Sequence, residues 1–315
     1  MNIIVNSFPF DPDKLKDLPK DFPDINFEFT GSEEELIEKI PNADAILTMK
    51  LKEEHLKIAP NLQWIQGLMA GVDALPLDTI KERGIILTTG RGIHKNHMTE
   101  YALSMMILDA RNLDQLLLKQ QKKEWDPSFK QDEIKGKTLG IIGLGSIGKE
   151  LARKASFMGM DVIGVKRTNN PVPHVRKVYT NEEVEEIFKQ SDYIVNLLPY
   201  TPETEKFVDK NLMNLMKPTA CMLNLGRGST VNEDDLYDAL KNKVFRKYIS
   251  DVFETEPLPK ESPLWDLDNI IITPHICGPN VNYMSKAYDI VKENIGKYKE
   301  DPELVINKYS FERGY

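Results

Sequence analysis

Apolar and polar positions alternate along this chain in blocks. Short β-rich runs, IIV at 3–5, INFEFT at 25–30, AILTM at 45–49, WIQGL at 64–68 and IILTT at 85–89, are separated by polar, helix-like stretches such as SEEELIEKI. Strands of this length alternating with helices predict a parallel α/β sheet. The stretch TEYALSMMILDARNLDQLLLKQQ, Thr99 to Gln121, is too long and too apolar around its circumference for a helix with one buried stripe. It predicts one long helix packed against two partners, either deep in the core or shared with a second subunit. From Thr138 a second alternation begins, with TLGII, DVIGV, YIVNLL, ACMLNL, YISDV and IIIT, and predicts a larger parallel sheet. After Gly278, VNYMSKAYDIVKENIGKYKE reads as an amphipathic helix that returns to the first domain, which puts hinges near Ile93 and Pro279. The expected fold is therefore α/β and two-lobed, with a doubly wound parallel sheet in the larger lobe.

Length agrees with this division, since 315 residues suffice for two cores. The 49 acidic against 41 basic residues leave no basic stripe, which excludes nucleic acid or an anionic membrane as a partner. The start MNIIVNSFPF resembles no signal peptide, and no apolar run reaches the ~18 residues of a membrane span, so a cytoplasmic location is expected. Cys221 and Cys277 stand alone without CxxC spacing, so neither a disulfide framework nor a metal site is expected.

In TLGIIGLGSIGKELARKA, Gly143, Gly145 and Gly148 have GxGxxG spacing directly after a strand-like run and before a helix. That context turns a weak motif into a nucleotide site. The first glycine permits the tight turn, the second lets backbone approach a pyrophosphate, and the third lets helix and strand pack closely. Free N–H groups of Ser146 and Ile147 at the helix start face the anion. A dinucleotide is the expected ligand, with a mononucleotide or an unoccupied relic of the fold as alternatives. About 20 residues on, where NAD-binding chains carry a carboxylate for the adenosine ribose, this chain has VKRTNN. Lys166 and Arg167, helped by the Thr168 hydroxyl, suit a 2′-phosphate. NADP(H) is therefore the expected cofactor, NAD(H) a lesser one, and two solvated turn cations the alternative.

Ligands of doubly wound sheets sit beyond the carboxyl ends of the strands. Three such ends carry chemistry: Arg227 in LNLGRGST, Asp251 and Glu256 in YISDVFETEP, and His275 in IIITPHICG. An arginine holds a substrate carboxylate and polarises the neighbouring carbonyl through its planar fork. A histidine hands a proton to the oxygen that becomes negative as hydride arrives, and a carboxylate on its ring favours the imidazolium and orients it. Asp251 is placed to accept a hydrogen bond from a nicotinamide carboxamide. Arg227, Glu256 and His275 form a coherent set for carbonyl reduction.

GLGSIG, LNLGRGSTVNEDDL, DVFETEPLPKESPLW and IIITPHICG, in this order and spacing, resemble the signature segments of the D-isomer-specific 2-hydroxyacid dehydrogenases, and the resemblance covers nearly the whole chain. It implies that Arg227, Glu256 and His275 are the catalytic trio and that Asp251 touches the nicotinamide. It also implies that Leu198, Pro199, Leu225, Gly226, Arg227, His275 and Gly278 lie along the cofactor. Residues 1–93 and 280–315 would form a discontinuous, flavodoxin-like substrate domain and residues 94–279 the dinucleotide-binding domain. GLMAGVDALPL is similar to the family's substrate loop, whose N–H groups near Ala70 and Gly71 would hold the substrate carboxylate opposite Arg227. HMTEYALSMM matches the start of the family's dimer helix, so a homodimer through 99–121 is implied. The chain departs from the family at Met98-Thr99-Glu100, often Val-Ala-Glu, and at Lys166.

The activity implied is reduction of a small 2-oxo acid to a D-2-hydroxy acid, as in glyoxylate or hydroxypyruvate reductases. A formate or phosphite dehydrogenase is disfavoured, because related formate enzymes carry glutamine at the place of Glu256. Phosphoglycerate dehydrogenase chemistry stays open, though the long regulatory C-terminal extension often seen there is not expected. A non-catalytic, cofactor-sensing interaction protein on this fold is the alternative from another class. Leu68, Met69, Arg91 and Ile276 are expected to shape substrate choice. His55 and His174 read as surface residues, while His94, His97 and Arg91 are open candidates for the cleft.

Overall fold

The computed structural model describes residues 1–8, 11–72 and 74–314. Within it the chain divides into two compact units, Met1–Ile93 with Pro279–Tyr315, and His94–Gly278.

The first unit is built on β1 (Asn2–Asn6), β2 (Asn26–Phe29), β3 (Ala45–Thr48), β4 (Trp64–Gly67) and β5 (Ile86–Thr88). They pair in parallel in the order β2-β1-β3-β4-β5, the flavodoxin-like order. Successive side chains of a strand point to opposite faces, so Ile3 and Val5 join one apolar layer and Ile4 the other. The helix Tyr283–Glu300 lays Met284, Ala287, Val291 and Ile295 into the layer of Ile3, Val5 and Trp64, and Tyr298 stacks on Trp64 at 4.6 Å. Leu68 belongs to the same layer and is 1% exposed, so it is a core residue and not the substrate-shaping one its loop suggests.

The second unit holds β6 (Thr138–Ile142), β7 (Asp161–Val165), β8 (Lys177–Tyr179), β9 (Tyr193–Asn196), β10 (Cys221–Asn224), β11 (Lys247–Ser250) and β12 (Ile270–Ile272). All pairs are parallel, in the order β12-β11-β10-β9-β6-β7-β8. The chain starts at β6, winds outward through β7 and β8, then crosses to β9. Strand order therefore reverses between β6 and β9, the place where such sheets bind nucleotides. The edge strand β8 has no counterpart in the sequence reading, being three residues long and exposed at Lys177.

The expected single helix over 99–121 is two. Lys95–Ala110 packs beside Ser146–Phe157, and Leu113–Gln121 follows after a break at Asn112, whose φ of 48° is left-handed. Asparagine tolerates that conformation better than other side-chain-bearing residues, which makes it the natural breaking point. Just before the break, the buried Asp109 holds Arg246 through two bonds of 2.6 and 2.7 Å and accepts Tyr193 Oη at 3.0 Å. Lys247 reaches Asp114 at 2.8 Å and Asp109 at 3.4 Å. Tyr193 and Lys247 open β9 and β11, so this ionic cluster clamps the helical break to the amino ends of the strands, away from their carboxyl ends. Among the described residues no helix is long and apolar enough to cross a membrane.

Candidate active site

The glycine loop joins β6 to the helix Ser146–Phe157 at the point of reversal. Gly143 has φ +104°, and a Cβ there would press on Leu197 at the end of β9. A Cβ on Gly148 would stand 2.2 Å from the Gly143 carbonyl oxygen. The protein's own packing therefore requires these two glycines. Gly145 is different. Its φ is −76°, and an added Cβ would meet nothing within 4 Å. Close approach of a ligand is the remaining reason for glycine there, and the residues fit a dinucleotide's pyrophosphate. Gly145 caps the helix without a side-chain hydrogen bond, so no cap side chain takes up the first-turn N–H groups, among them those of Ser146 and Ile147.

Lys166, Arg167 and Thr168 follow β7 directly. Lys166 is half-buried and its N–H donates to the Tyr179 carbonyl, while Arg167 and Thr168 are exposed. Leu198 and Pro199 follow β9 on the other side of β6.

Arg227 sits on a loop fixed from below. Asn196 and Asn224 end β9 and β10 in register, both fully buried. Asn196 Nδ2 donates to Asn224 Oδ1 at 3.1 Å and Thr230 Oγ1 at 2.8 Å. Asn224 Nδ2 and Thr230 Oγ1 in turn donate to the Arg227 carbonyl, at 3.2 and 2.6 Å. Gly226 and Gly228 permit the flanking approaches: a Cβ would lie 2.5 Å from the Leu198 carbonyl oxygen at the first and 1.8 Å from the Phe253 carbonyl carbon at the second. The Arg227 loop is thereby packed on the segment that carries Glu256. Its half-buried guanidinium donates Nη1 to the Gly226 carbonyl at 3.0 Å. The asparagine pair is a set of positioning residues that the sequence reading passed over, although asparagine closing two successive apolar strands was its signal.

His275 and Glu256 meet directly, with Nδ1 and Oε2 2.7 Å apart, and Glu256 Oε1 accepts the Phe253 N–H at 3.0 Å. This bond leaves His275 Nε2 as the nitrogen available to a substrate oxygen. His275 has a left-handed φ of 53°, which costs a residue with a side chain about 1–2 kcal/mol. Asp251 holds it there. The fully buried Asp251 carboxylate accepts Thr273 Oγ1 at 2.5 Å and the N–H groups of Ile276 and Cys277 at 2.9 and 2.8 Å. Its carbonyl accepts the His275 N–H at 2.9 Å. Tyr101, on the helix Lys95–Ala110, donates its hydroxyl to Thr273 Oγ1 at 2.6 Å. Burial pushes that hydroxyl up to about 12, with the Thr273 bond opposing and the Asp251 charge adding, so Tyr101 remains a donor at working pH. Asp251 is thus first a tether for the histidine loop, a role the sequence did not show.

His94 Nδ1 lies 3.1 Å from both His97 Nε2 and the carbonyl of Gly278, so the two histidines brace the end of the same loop. Arg91 is engaged elsewhere, Nε donating to Asn307 Oδ1 at 3.3 Å within the first unit. Ala70 and Gly71 follow β4 in that unit and are half-buried, while Ile276 is exposed.

His55 corrects its sequence reading. It is buried, 3% exposed, and not a surface residue, because it folds back as the third residue of the helix Glu53–Lys57 and accepts the Lys52 N–H on Nδ1 at 3.2 Å. His174 is exposed, as read. His55, Glu33 and Glu54 bring donor atoms within 4.8 Å of one another. With Nδ1 accepting, the proton resides on Nε2, the atom facing Glu33 at 3.5 Å, and the Lys52 ammonium lies between the two carboxylates. The group is a helix cap with ion pairs, and its imidazole has no lone pair to offer a metal. Burial raises both thiols, Cys221 and Cys277, far above the reactive range.

The model of the D-isomer specific 2-hydroxyacid dehydrogenase, NAD binding domain, matches residues 103–277. The chain is 34% identical over 289 residues to D-3-phosphoglycerate dehydrogenase of Methanocaldococcus jannaschii, covering 88% of this chain but only 54% of that longer protein. It is 31% identical over 288 residues to glyoxylate reductase of Pyrococcus furiosus, covering 87% of this chain and 85% of the relative. A D-isomer specific 2-hydroxyacid dehydrogenase family protein from Aeromonas salmonicida superposes with a TM-score of 0.89 at 30% identity, over 98% of this chain and 99% of that one. With the glycine loop, the reversal of strand order and the His275–Glu256 pair already in place, these matches show that the chain belongs to the D-isomer-specific 2-hydroxyacid dehydrogenases, oxidoreductases that use a nicotinamide cofactor.

Proposed function

We propose that this protein reduces a small 2-oxo acid to the D-2-hydroxy acid with NADPH in preference to NADH. The observation that carries the reading is the 2.7 Å contact of Glu256 Oε2 with His275 Nδ1 on a loop that Asp251 holds in a strained conformation. A carboxylate on one ring nitrogen fixes the orientation of the ring and directs the other nitrogen, as a proton donor, toward the substrate oxygen.

Bound along the glycine loop, the nicotinamide supplies the hydride. Gly143, Gly145, Ser146, Ile147 and Gly148 hold the pyrophosphate, and Leu198, Pro199, Leu225, Gly226 and Gly278 line the cofactor, while the fully buried Asp251 acts through the histidine loop that it tethers. Arg227 binds the substrate carboxylate and polarises its carbonyl. His275 donates the proton from Nε2. Residues 1–93 and 280–315 act as the substrate domain and 94–279 as the cofactor domain. Lys166, Arg167 and Thr168 stand where a ribose-binding carboxylate is usual and bind the 2′-phosphate by charge-assisted hydrogen bonds.

We assign a homodimer as well. The helix Leu113–Gln121 buries none of its residues, exposes Leu113, Leu117 and Leu118, and is followed by Trp125 at 97% exposure. A second copy of this chain covers that apolar surface. A cytoplasmic location belongs to the same proposal.

The test is a panel of 2-oxo acids, from glyoxylate through hydroxypyruvate and pyruvate to branched members, followed by loss of reduced-cofactor absorbance with NADPH and with NADH. Turnover with at least one acid and a lower KM for NADPH is expected. An equal or lower KM for NADH overturns the cofactor assignment, and no turnover across the panel overturns the activity.

A further inference from the structure

We propose that Glu203 sets the limit of cofactor discrimination: its carboxylate is a resident counter-ion for Arg167 that a 2′-phosphate must displace. This rests on the NADP(H) reading above.

Arg167 follows β7 and Glu203 lies on the turn after β9, so the two reach toward each other across the end of β6. Arg167 Nη2 and Glu203 Oε2 are 3.6 Å apart. That is longer than the 2.7–2.9 Å of a well-formed charge-assisted hydrogen bond, roughly the usual span for such groups. The side chains are 44% and 77% exposed, so the pair adds little to stability and is readily broken. Its function is therefore not that of a staple.

Glu203 is nonetheless not a freely swinging surface acid. The same Oε2 accepts the Thr201 hydroxyl at 3.3 Å. Thr201 is buried and its N–H donates to Thr204 Oγ1 at 2.8 Å, while that hydroxyl donates to the Pro199 carbonyl at 2.7 Å. The turn keeps the carboxylate beside Arg167. A phosphate, with more charge and three acceptor oxygens, outcompetes a carboxylate for the guanidinium fork. The displaced carboxylate remains tied to its turn, next to the incoming dianion, and repels it. A ribose hydroxyl carries no charge and donates to a carboxylate, so NADH meets no such opposition. Lys166, Arg167 and Thr168 thus draw the protein toward NADP(H), and Glu203 holds the preference down.

The test is binding, not turnover. NADPH and NADH are titrated by fluorescence or calorimetry into the wild-type protein, Glu203→Gln, Arg167→Gln and the double variant at low ionic strength. Gln keeps an oxygen for the Thr201 hydroxyl, and circular dichroism checks the fold. Glu203→Gln should lower the NADPH Kd about two- to fivefold, the scale of an exposed charge pair, and move the NADPH/NADH ratio by the same factor. The gain should shrink in the Arg167→Gln background and at ~0.5 M salt, where exposed charges are screened. An unchanged or raised NADPH Kd in Glu203→Gln overturns the inference, the latter making Glu203 a support for Arg167. If Arg167→Gln leaves NADPH binding intact, the 2′-phosphate reading itself fails; if Arg167→Gln weakens it and Glu203→Gln is silent, only the role of Glu203 fails.

Discussion

Thr273→Val isolates the tether from the chemistry, because Thr273 has no part in the proposed handling of substrate or proton. Valine matches threonine in shape, so the change removes a hydroxyl and little else. Two bonds go with it: the 2.5 Å donation to the buried Asp251 carboxylate and the 2.6 Å bond from Tyr101. The first is charge-assisted, about 1.5–3 kcal/mol, and the second about 1 kcal/mol, with Tyr101 left unpaired in a half-buried place. Against this stand the Ile276 and Cys277 N–H bonds to Asp251, which survive, and the ~1–2 kcal/mol by which left-handed His275 tends to relax. The loop then stays mostly in place but spends part of its time displaced. The expected result is a Tm several degrees lower and kcat down about tenfold, near 1.4 kcal/mol, with KM for the 2-oxo acid changed less than threefold. Turnover with saturating NADPH and a thermal melt measure both. Tyr101→Phe, which removes only the outer bond, should cost less than threefold. A Thr273→Val variant with a lowered Tm but wild-type kcat would refute the claim that this chain of bonds positions His275.

Two further predictions probe the glycine loop and the ionic clamp. Gly145→Ala should leave the Tm within about 1 °C, because its Cβ enters open space, yet weaken NADPH binding at least tenfold, whereas Gly148→Ala should destabilise the fold through its 2.2 Å clash; equal binding by wild type and Gly145→Ala would remove the pyrophosphate assignment. For Asp114, burial raises the carboxyl, but the Lys247 and Gln115 bonds and the Lys247 charge outweigh it and hold the group below its ordinary value. A depressed folded pKa means stability present above the ordinary aspartate value and lost as pH falls through the folded one. Asp114→Asn should therefore cost about 1–3 kcal/mol at pH 7, with the Tm difference from wild type narrowing below about pH 4; a difference constant from pH 7 to pH 3 would contradict the assignment.

How much of this was legible beforehand follows from where each residue finds its partners. Runs such as IIV and TLGII are buried on both faces of a parallel sheet, so their apolar continuity alone marks them as strands. β8 lacks that signal because an edge strand of three residues needs little burial. The helix break at Asn112 was visible only as a residue tolerant of left-handed backbone, and apolar periodicity continues on both sides of it. His55 lies among charged neighbours in KEEHLK, and nothing in that string says that its ring turns inward to cap its own helix. The bond between His275 and Glu256 was anticipated from chemistry, since each has a job the other supports. The grip of Asp251 on residues 273–277 and the approach of Glu203 to Arg167 were not, because both depend on which strands become neighbours.

The central claim is that His275, oriented by Glu256, protonates the substrate oxygen. Turnover of the best 2-oxo acid with NADPH by His275→Ala, set beside NADPH affinity measured by fluorescence, tests it most directly. The account predicts a loss of about 10²–10⁴-fold in kcat with NADPH affinity retained. Wild-type turnover in that variant would contradict it.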